Sequence, residues 1–313
     1  MRTAIVGDTG FVGGNLAQSH AFEGRYNSKN IEQAFGTRPE LLVYAGLPAA
    51  KYLANTDPAG DESVCKNAME NISRIDPQRL VLISTVDVYE VPDGVTEDDP
   101  ASLQNPGAYG RNRAKLEQLV RAAYPDALIV RLPGLFGNGM KKNFLFDFLT
   151  VTPAMLKADR YAQLAAHSAL VKTAYAPAKN GFYVLTDAAK TTDKAALRTF
   201  FAASNFNALS FTDSRAMYQF YDLTNLWRDI AWALAANLKL LNLATQPISA
   251  GEIYAALTHG GTFQNELPSP PANYDMRTRY DALYHGENGY LYSKEDVLEA
   301  ICAFVAAARK KEG

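Results

Sequence analysis

Short, unbroken apolar runs recur along the first 140 residues. Thr3-Ala-Ile-Val6 leads into Gly7, and Leu41-Leu-Val-Tyr-Ala-Gly46, Leu80-Val-Leu-Ile-Ser-Thr85 and Ala127-Leu-Ile-Val-Arg-Leu132 follow at wide spacing. Runs of this length without polar alternation predict strands buried on both faces, as in a parallel sheet. Helically spaced stretches lie between them, from about Val12 to Phe22, Ser63 to Ile75 and Tyr109 to Ala123. Tyr26 to Ile31 is a weaker candidate for the second strand. Strands alternating with helices predict an α/β, doubly wound parallel sheet.

After Gly139 the rhythm changes. The text from Phe144 to Phe211 is mainly helical and irregular, broken by Pro153, Pro177 and a strand candidate that starts at Gly181. Ala231 to Asn237 reads as helix and Leu238 to Leu243 as strand, returning to the sheet. The segment opened by Pro268-Ser-Pro-Pro271 is polar, and Ser293 to Lys310 is a helix whose Ser293 and Asp296 form a capping-box-like pair. The expected organisation is a first domain of residues 1–140 to which 215–250 return. A smaller, mainly helical C-terminal substrate lobe takes 141–214 and 251–313.

Composition narrows the class. The 313 residues are 48% hydrophobic and 20% charged with a formal charge of −2, which gives no reason to expect nucleic acid or an anionic membrane as partner. No apolar run approaches the roughly 20 residues that span a bilayer. Met1 leads almost directly into a strand, so no signal peptide is expected and the cytoplasm is the expected compartment. Cys65 and Cys302 have no neighbouring thiols, and His20, His167, His259 and His285 have no metal-ligand spacing, so no metal is expected.

Gly7-Asp-Thr9-Gly10-Phe11-Val12-Gly13 follows a predicted strand and opens a predicted helix. In that context the first glycine permits a tight turn, the second lets backbone N–H groups reach a pyrophosphate, and the third lets helix and strand pack closely. The positive end of the helix then faces the phosphates. The first 140 residues therefore read as a Rossmann domain for a nicotinamide dinucleotide. An acidic residue about 20 positions on holds the ribose hydroxyls of NAD, whereas a basic one suits the extra phosphate of NADP. Here Ser28 and Lys29 stand at that place and no carboxylate does, which favours NADP over NAD, although Lys29 also reads as a solvated surface lysine.

The G-x-x-G-x-x-G spacing, with Phe11, resembles the extended short-chain dehydrogenase/reductase superfamily of nicotinamide-dependent epimerases and dehydratases. The resemblance covers about residues 1–140, and 215–250 more loosely. It implies cofactor contacts from the glycine loop, from Ala45 and Gly46, from Tyr109 and Arg113, and from Pro133 in Arg131-Leu-Pro133. It also implies a proton-transfer centre made of Thr85 after the fourth strand and of a Tyr-x-x-x-Lys helix. Tyr109 supplies the tyrosine and Glu117 fixes the register, but Arg113 stands at the lysine position. Lys115 is about 200° around the helix from it and cannot substitute.

The chemistry needs a phenol, of ordinary pKa about 10, brought toward neutrality so that it exchanges a proton with a carbinol or carbonyl oxygen. A unit charge at 4 Å and an effective dielectric of 20 supplies about 4 kcal/mol, or roughly 3 pKa units. Arginine brings that charge but releases no proton. Thr85 would donate to the substrate oxygen. In the resemblance Asp87 matches the second acid of the dehydratase branch and Val86 replaces the first, so Asp87 reads either as a general base or as a cap of the following turn. Lys141 and Asn143, with Arg277 and Arg279 between Tyr274 and Tyr280, are candidates for a substrate diphosphate; a charged surface turn is the alternative. The expected function is an NAD(P)-dependent oxidoreductase or epimerase acting on a nucleotide sugar or related alcohol, in a possible homodimer. Arg113 and Val86 motivate a second reading, a catalytically inactive NAD(P)-binding sensor.

Overall fold

The computed structural model describes residues 2–178 and 181–312. It divides into two compact units. The first comprises residues up to Met140 with Met217–Ser249 and Ala272–Phe304; the second comprises Lys141–Ala216, Ala250–Pro271 and the residues from Val305.

In the first unit the apolar runs become β1 (Thr3–Val6), β3 (Leu41–Tyr44), β4 (Leu80–Thr85) and β5 (Leu128–Leu132), with β2 at Gly24–Tyr26 and a short β6 at Gly134–Phe136. The helices between them are α1 (Phe11–Ser19), α2 (Lys51–Thr56), α3 (Pro58–Ile75) and α4 (Ala108–Ala123). A later strand, Leu240–Asn242, pairs in parallel with β5. The six-stranded sheet runs in the order Leu240–Asn242, β5, β4, β3, β1, β2, and every pairing in it is parallel.

Unbroken apolar strands form because both faces are covered. Ile5, Val43, Val81, Ile83, Val130 and Leu241 pack with Leu16 of α1 and with Ile230 and Ala233 of the helix Leu226–Ala235. Their alternate neighbours Ala4, Val6, Leu42, Leu80, Leu82 and Ile129 pack with Cys65, Ala68, Ile72 and Ile75 of α3 and with Leu116 and Val120 of α4. The chain crosses from one side of β1 to the other between β2 and β3, so the carboxyl ends of β1 and β3 are the switch point at which sheets of this kind bind ligands.

The second strand lies earlier than the sequence pattern suggests. Asn27 ends it, because its backbone N–H donates to Asn30 Oδ1 at 2.7 Å and its side chain donates to Asp8 Oδ1 at 2.9 Å. Residues 272–304, expected in the second lobe, pack within the first unit instead. Asn242 Nδ2 donates to the Arg277 carbonyl at 2.9 Å, and the buried Gln219 both donates to the Met276 carbonyl and accepts from the Met276 N–H. The helix Lys294–Glu312 carries the anticipated cap: Ser293 N–H donates to Asp296 Oδ2 at 3.0 Å while Asp296 N–H donates to Ser293 Oγ at 3.1 Å.

The second unit is mainly helical, with one small antiparallel sheet in the strand order Met155–Lys157, Phe182–Leu185, Tyr175–Pro177. Its core gathers Leu156, Val171, Ala174, Tyr175, Leu185, Leu197 and Phe201. Among the described residues no helix is long and apolar enough to cross a membrane.

Candidate active site

The loop Gly7–Gly13 joins β1 to α1 at the switch point. Gly7 has φ +96, and a Cβ there would lie 2.5 Å from the Ala45 carbonyl oxygen; a Cβ on Gly13 would lie 2.1 Å from the Gly7 carbonyl oxygen. Only glycine allows β1, β3 and α1 to close up in this way. Gly10 stands at the N-cap of α1, no side chain caps the helix and its first turn holds no acidic residue. Thr9, Phe11 and Val12 belong to this turn, and Ala45 and Gly46 follow β3 directly opposite. Ser28 and Lys29 are both exposed beyond the end of β2, where Asp8 is already engaged by Asn27 and, at 3.5 Å, by Arg25.

Thr85 ends β4, Asp87 lies in the single turn after it, and Tyr109 and Arg113 are one helical turn apart on the buried side of α4. Their positions are braced by short-range polar bonds. Asn105 Nδ2 donates to the carbonyls of Asp87 at 2.9 Å and Tyr89 at 3.2 Å, and the Tyr109 N–H donates to Asn55 Oδ1 at 3.0 Å. Gly110 lets α4 approach the Asp87 turn, since a Cβ there would sit 1.8 Å from the Asp87 carbonyl oxygen. Eight residues after Tyr109, Glu117 accepts from Ser84 Oγ at 2.5 Å and from Arg131 through both Nε and Nη2, tying α4 to β4 and β5. Arg131 in turn donates to the Tyr89 hydroxyl at 2.6 Å.

The electrostatics differ from the expectation. Arg113 does cover the Tyr109 ring, its guanidinium carbon 4.1 Å from the centroid. However, its Nη1 is ion-paired with Asp61 of α3, and its Nη2 donates to the Pro48 carbonyl at 2.7 Å. Both partners of the pair are buried, Arg113 being 2% and Asp61 8% exposed in their side chains. Burial holds the Tyr109 phenol above its ordinary value. Arg113 and a hydrogen bond with Thr85 pull it down, while Asp87 and Asp61 push it up. The desolvation cost outweighs a cation that is already shared with a carboxylate.

Two groups that sequence reasoning missed complete the cluster. Asp61, which also accepts from Asn112 Nδ2 at 2.9 Å, is 52 positions from Arg113, and nothing in the local pattern marks it. Lys51, at the start of α2, places Nζ 2.5 Å from Asp87 Oδ1 and also hydrogen-bonds Tyr274. The only signal was a lone lysine closing a proline- and alanine-rich stretch after β3.

The first unit thus brings together the glycine loop, Ala45, Gly46, Thr85, Asp87, Tyr109 and Arg113, with Pro133 between β5 and β6. The arginine pair separates. Arg277 is held at 3.0 Å by Asp275, which precedes it by two residues and follows Tyr274 directly. Arg279 is ion-paired with Asp98 and lines a cavity with Gln118 and Arg121, at the end of α4 remote from Tyr109. Lys141 and Asn143 belong to the second unit, where Asn143 caps the helix Phe144–Thr150 by accepting from the Phe146 N–H at 3.1 Å.

A glycine-loop strand–helix junction, a parallel sheet of this order and a Thr–Tyr pair on β4 and α4 define a member of the extended short-chain dehydrogenase/reductase superfamily. Within it, the chain belongs to the RmlD substrate binding domain family, whose model matches residues 1–158. No curated protein matches the sequence. Among solved structures, a dTDP-4-dehydrorhamnose reductase from Clostridium acetobutylicum superposes with a TM-score of 0.63 at 13% identity, over 99% of this chain and 100% of that one. The dTDP-4-dehydrorhamnose reductase of Bacillus anthracis, in complex with NADP, gives 0.62 at 14% identity over 98% of each chain. The Bordetella bronchiseptica enzyme WbmG, in complex with NAD and UDP, gives 0.62 at 14% identity over 98% of this chain and 94% of that one. At such identities the likeness is one of fold.

Proposed function

We propose that the chain is an NAD(P)-dependent oxidoreductase that reduces or epimerises a sugar linked to a nucleoside diphosphate. The carrying observation is the arrangement of Tyr109 and Thr85 at the carboxyl end of β4, in the same unit as a glycine loop closed onto Ala45. Membership of the RmlD family and the ligands named for the similar structures, NADP in one and NAD with UDP in another, support the same reading.

The residues present fit a dinucleotide. The uncapped start of α1, free of acidic side chains, offers N–H groups to a pyrophosphate between Gly7 and Gly13. Ala45 and Gly46 leave room beside it, and Ser28 with Lys29 favours the 2′-phosphate of NADP while NAD remains the alternative. The dinucleotide supplies the hydride. Thr85 donates a hydrogen bond to the substrate oxygen, and Tyr109 holds the proton exchanged with that oxygen. Arg113 stays charged throughout, stacked on the phenol and anchored to Asp61. Arg277, next to the Tyr274 segment, is the candidate of the first unit for the substrate phosphates.

The test is turnover, followed by reduced-nicotinamide absorbance, against a panel of UDP-, GDP- and dTDP-linked sugars and keto-sugars. Tyr109→Phe is expected to cut turnover by at least about a hundredfold, the weight of a general acid–base group. Dinucleotide affinity, measured by calorimetry, should stay within about twofold. Equal turnover of the two proteins would remove Tyr109 from the mechanism. The neutralised Arg113 and the upward-shifted phenol favour a second reading, a sensor that binds NAD(P) without turnover. Under it both proteins bind dinucleotide and neither oxidises nor reduces any member of the panel.

A further inference from the structure

The exchange of lysine for arginine at position 113 leaves a gap in the proton inventory of the site. A guanidinium does not dissociate in the working pH range, and this one is 2% exposed and paired with Asp61. Each time Tyr109 gives its proton to a substrate oxygen, another group must return one.

A continuous line of exchangeable groups runs from Tyr109 to solvent. Thr85 hydrogen-bonds the phenol. Its hydroxyl also lies 3.5 Å from Asp87 Oδ2, and the other oxygen of that carboxylate lies 2.5 Å from Lys51 Nζ. The Lys51 side chain is 49% exposed, so its amine meets water directly. Tyr274, from the segment packed against this turn, hydrogen-bonds the same amine.

We infer that Lys51 is the dissociable cation of this site, returning through Asp87 and Thr85 the proton that Tyr109 donates. The inference rests on the oxidoreductase reading above. In the reducing direction the Tyr109 O–H bond breaks and a new O–H bond forms on the substrate, whose carbonyl carbon takes the hydride of the reduced nicotinamide. The phenol is then restored in steps: the Lys51 ammonium passes a proton to Oδ1 of the Asp87 carboxylate, the carboxyl group turns to bring that proton to the side of Thr85, and as the Thr85 hydroxyl takes it up the hydroxyl's own proton passes to the Tyr109 phenolate. Water recharges the amine. Lys51 acts through Asp87 and is a positioning residue rather than a group that touches substrate.

The charged and titratable groups facing this line are Asp87 and Tyr274 around Lys51, and Arg113, Asp61 and Asp87 around Tyr109. Losing the Lys51 charge exposes the phenol to an unneutralised Asp87, which disfavours tyrosinate. Charge and dissociation are separable, because arginine keeps the first and lacks the second.

The experiment compares full-length wild type, Lys51→Met, Lys51→Arg and Lys51→Ala. The first readout needs no substrate. In protein labelled with 13Cζ-tyrosine, the Tyr109 resonance, assigned by its absence in Tyr109→Phe, is titrated with pH. Its midpoint should move upward in Lys51→Met and return toward wild type in Lys51→Arg; an unmoved midpoint in Lys51→Met overturns the link between Lys51 and the phenol. The second readout is turnover of dTDP-4-dehydrorhamnose with NADPH and NADH. Both Lys51→Met and Lys51→Arg should lose tenfold or more in kcat with KM for the dinucleotide unchanged, and ethylamine should restore Lys51→Ala. Full activity of Lys51→Arg overturns the relay while leaving Tyr109 in place. Wild type that turns over nothing, with the first readout as expected, sinks the oxidoreductase reading but not the coupling of Lys51 to Tyr109.

Discussion

Arg113 illustrates how little of a charge survives its surroundings. The guanidinium sits over the Tyr109 ring, yet its partner Asp61 and the burial of the phenol leave the tyrosine harder to ionise than in water. The resemblance to the superfamily marks Tyr109, Arg113 and Glu117 along one stretch of sequence, and helical spacing sets them on one face, as α4 does. The carboxylate that neutralises the arginine was not legible there, since it comes from another helix through the fold. This pair makes a clean stability prediction. Asp61→Ala leaves a buried, uncompensated guanidinium and should lower the unfolding free energy by about 3–5 kcal/mol in urea titration. Replacing both partners, Asp61→Leu with Arg113→Met, should recover most of that loss, because well-packed apolar residues substitute for a buried ion pair at little net cost. An additive loss in the double variant would mean that the pair carries no such mutual compensation.

Between elements, the decisive distances are those at which α4 meets the turn after β4. Helix α4 is predicted by its periodicity alone, but the way it is seated depends on Gly110, whose missing side chain admits the Asp87 carbonyl, and on Asn105, which bonds the same turn from below. Neither is visible as a pattern: a lone glycine in a helix and an asparagine before a proline look like ordinary sequence. The same holds for the buried Ser84–Glu117–Arg131 link, in which each residue was noticed for its own motif and none for the others. Gly110→Ala separates the competing effects. Alanine in place of glycine gains about 1 kcal/mol in helix propensity. The added Cβ would lie 1.8 Å from a backbone oxygen, so α4 must back away from Asp87. Overpacking of this kind costs about 1–3 kcal/mol, and with the bond from Asn105 strained as well, the variant should be destabilised on balance. Its Tm should fall, and turnover should fall further than dinucleotide affinity, because the glycine loop is built on a different helix. A raised Tm would mean that the turn yields freely.

At the scale of the whole chain, a single buried carboxyl gives the second unit a pH handle of its own. The second unit was the least legible part of the sequence. Its short helices and strands of three or four residues give no long period, and the return of 272–304 to the first unit depends on bonds such as those of Gln219 and Asn242 that join distant segments. Within that second unit Asp147, in the first turn of the helix Phe144–Thr150, is mostly buried, and burial pushes its carboxyl up to about 7. The helix dipole at that end favours the ionised form by at most 1 or roughly 2 kcal/mol, less than the desolvation it opposes. The unfolded carboxyl titrates near its ordinary value of about 3.9, so between there and about pH 7 the folded state binds more protons than the unfolded one. Stability must therefore fall as pH rises through that window. Three pKa units correspond to a ceiling of about 4 kcal/mol. Asp147→Asn, which mimics the protonated acid, should match wild type in urea stability at pH 4 and exceed it at pH 8. The slope of stability against pH between about 4 and 7 should flatten in the variant, and identical slopes would show that Asp147 is solvated in the folded protein.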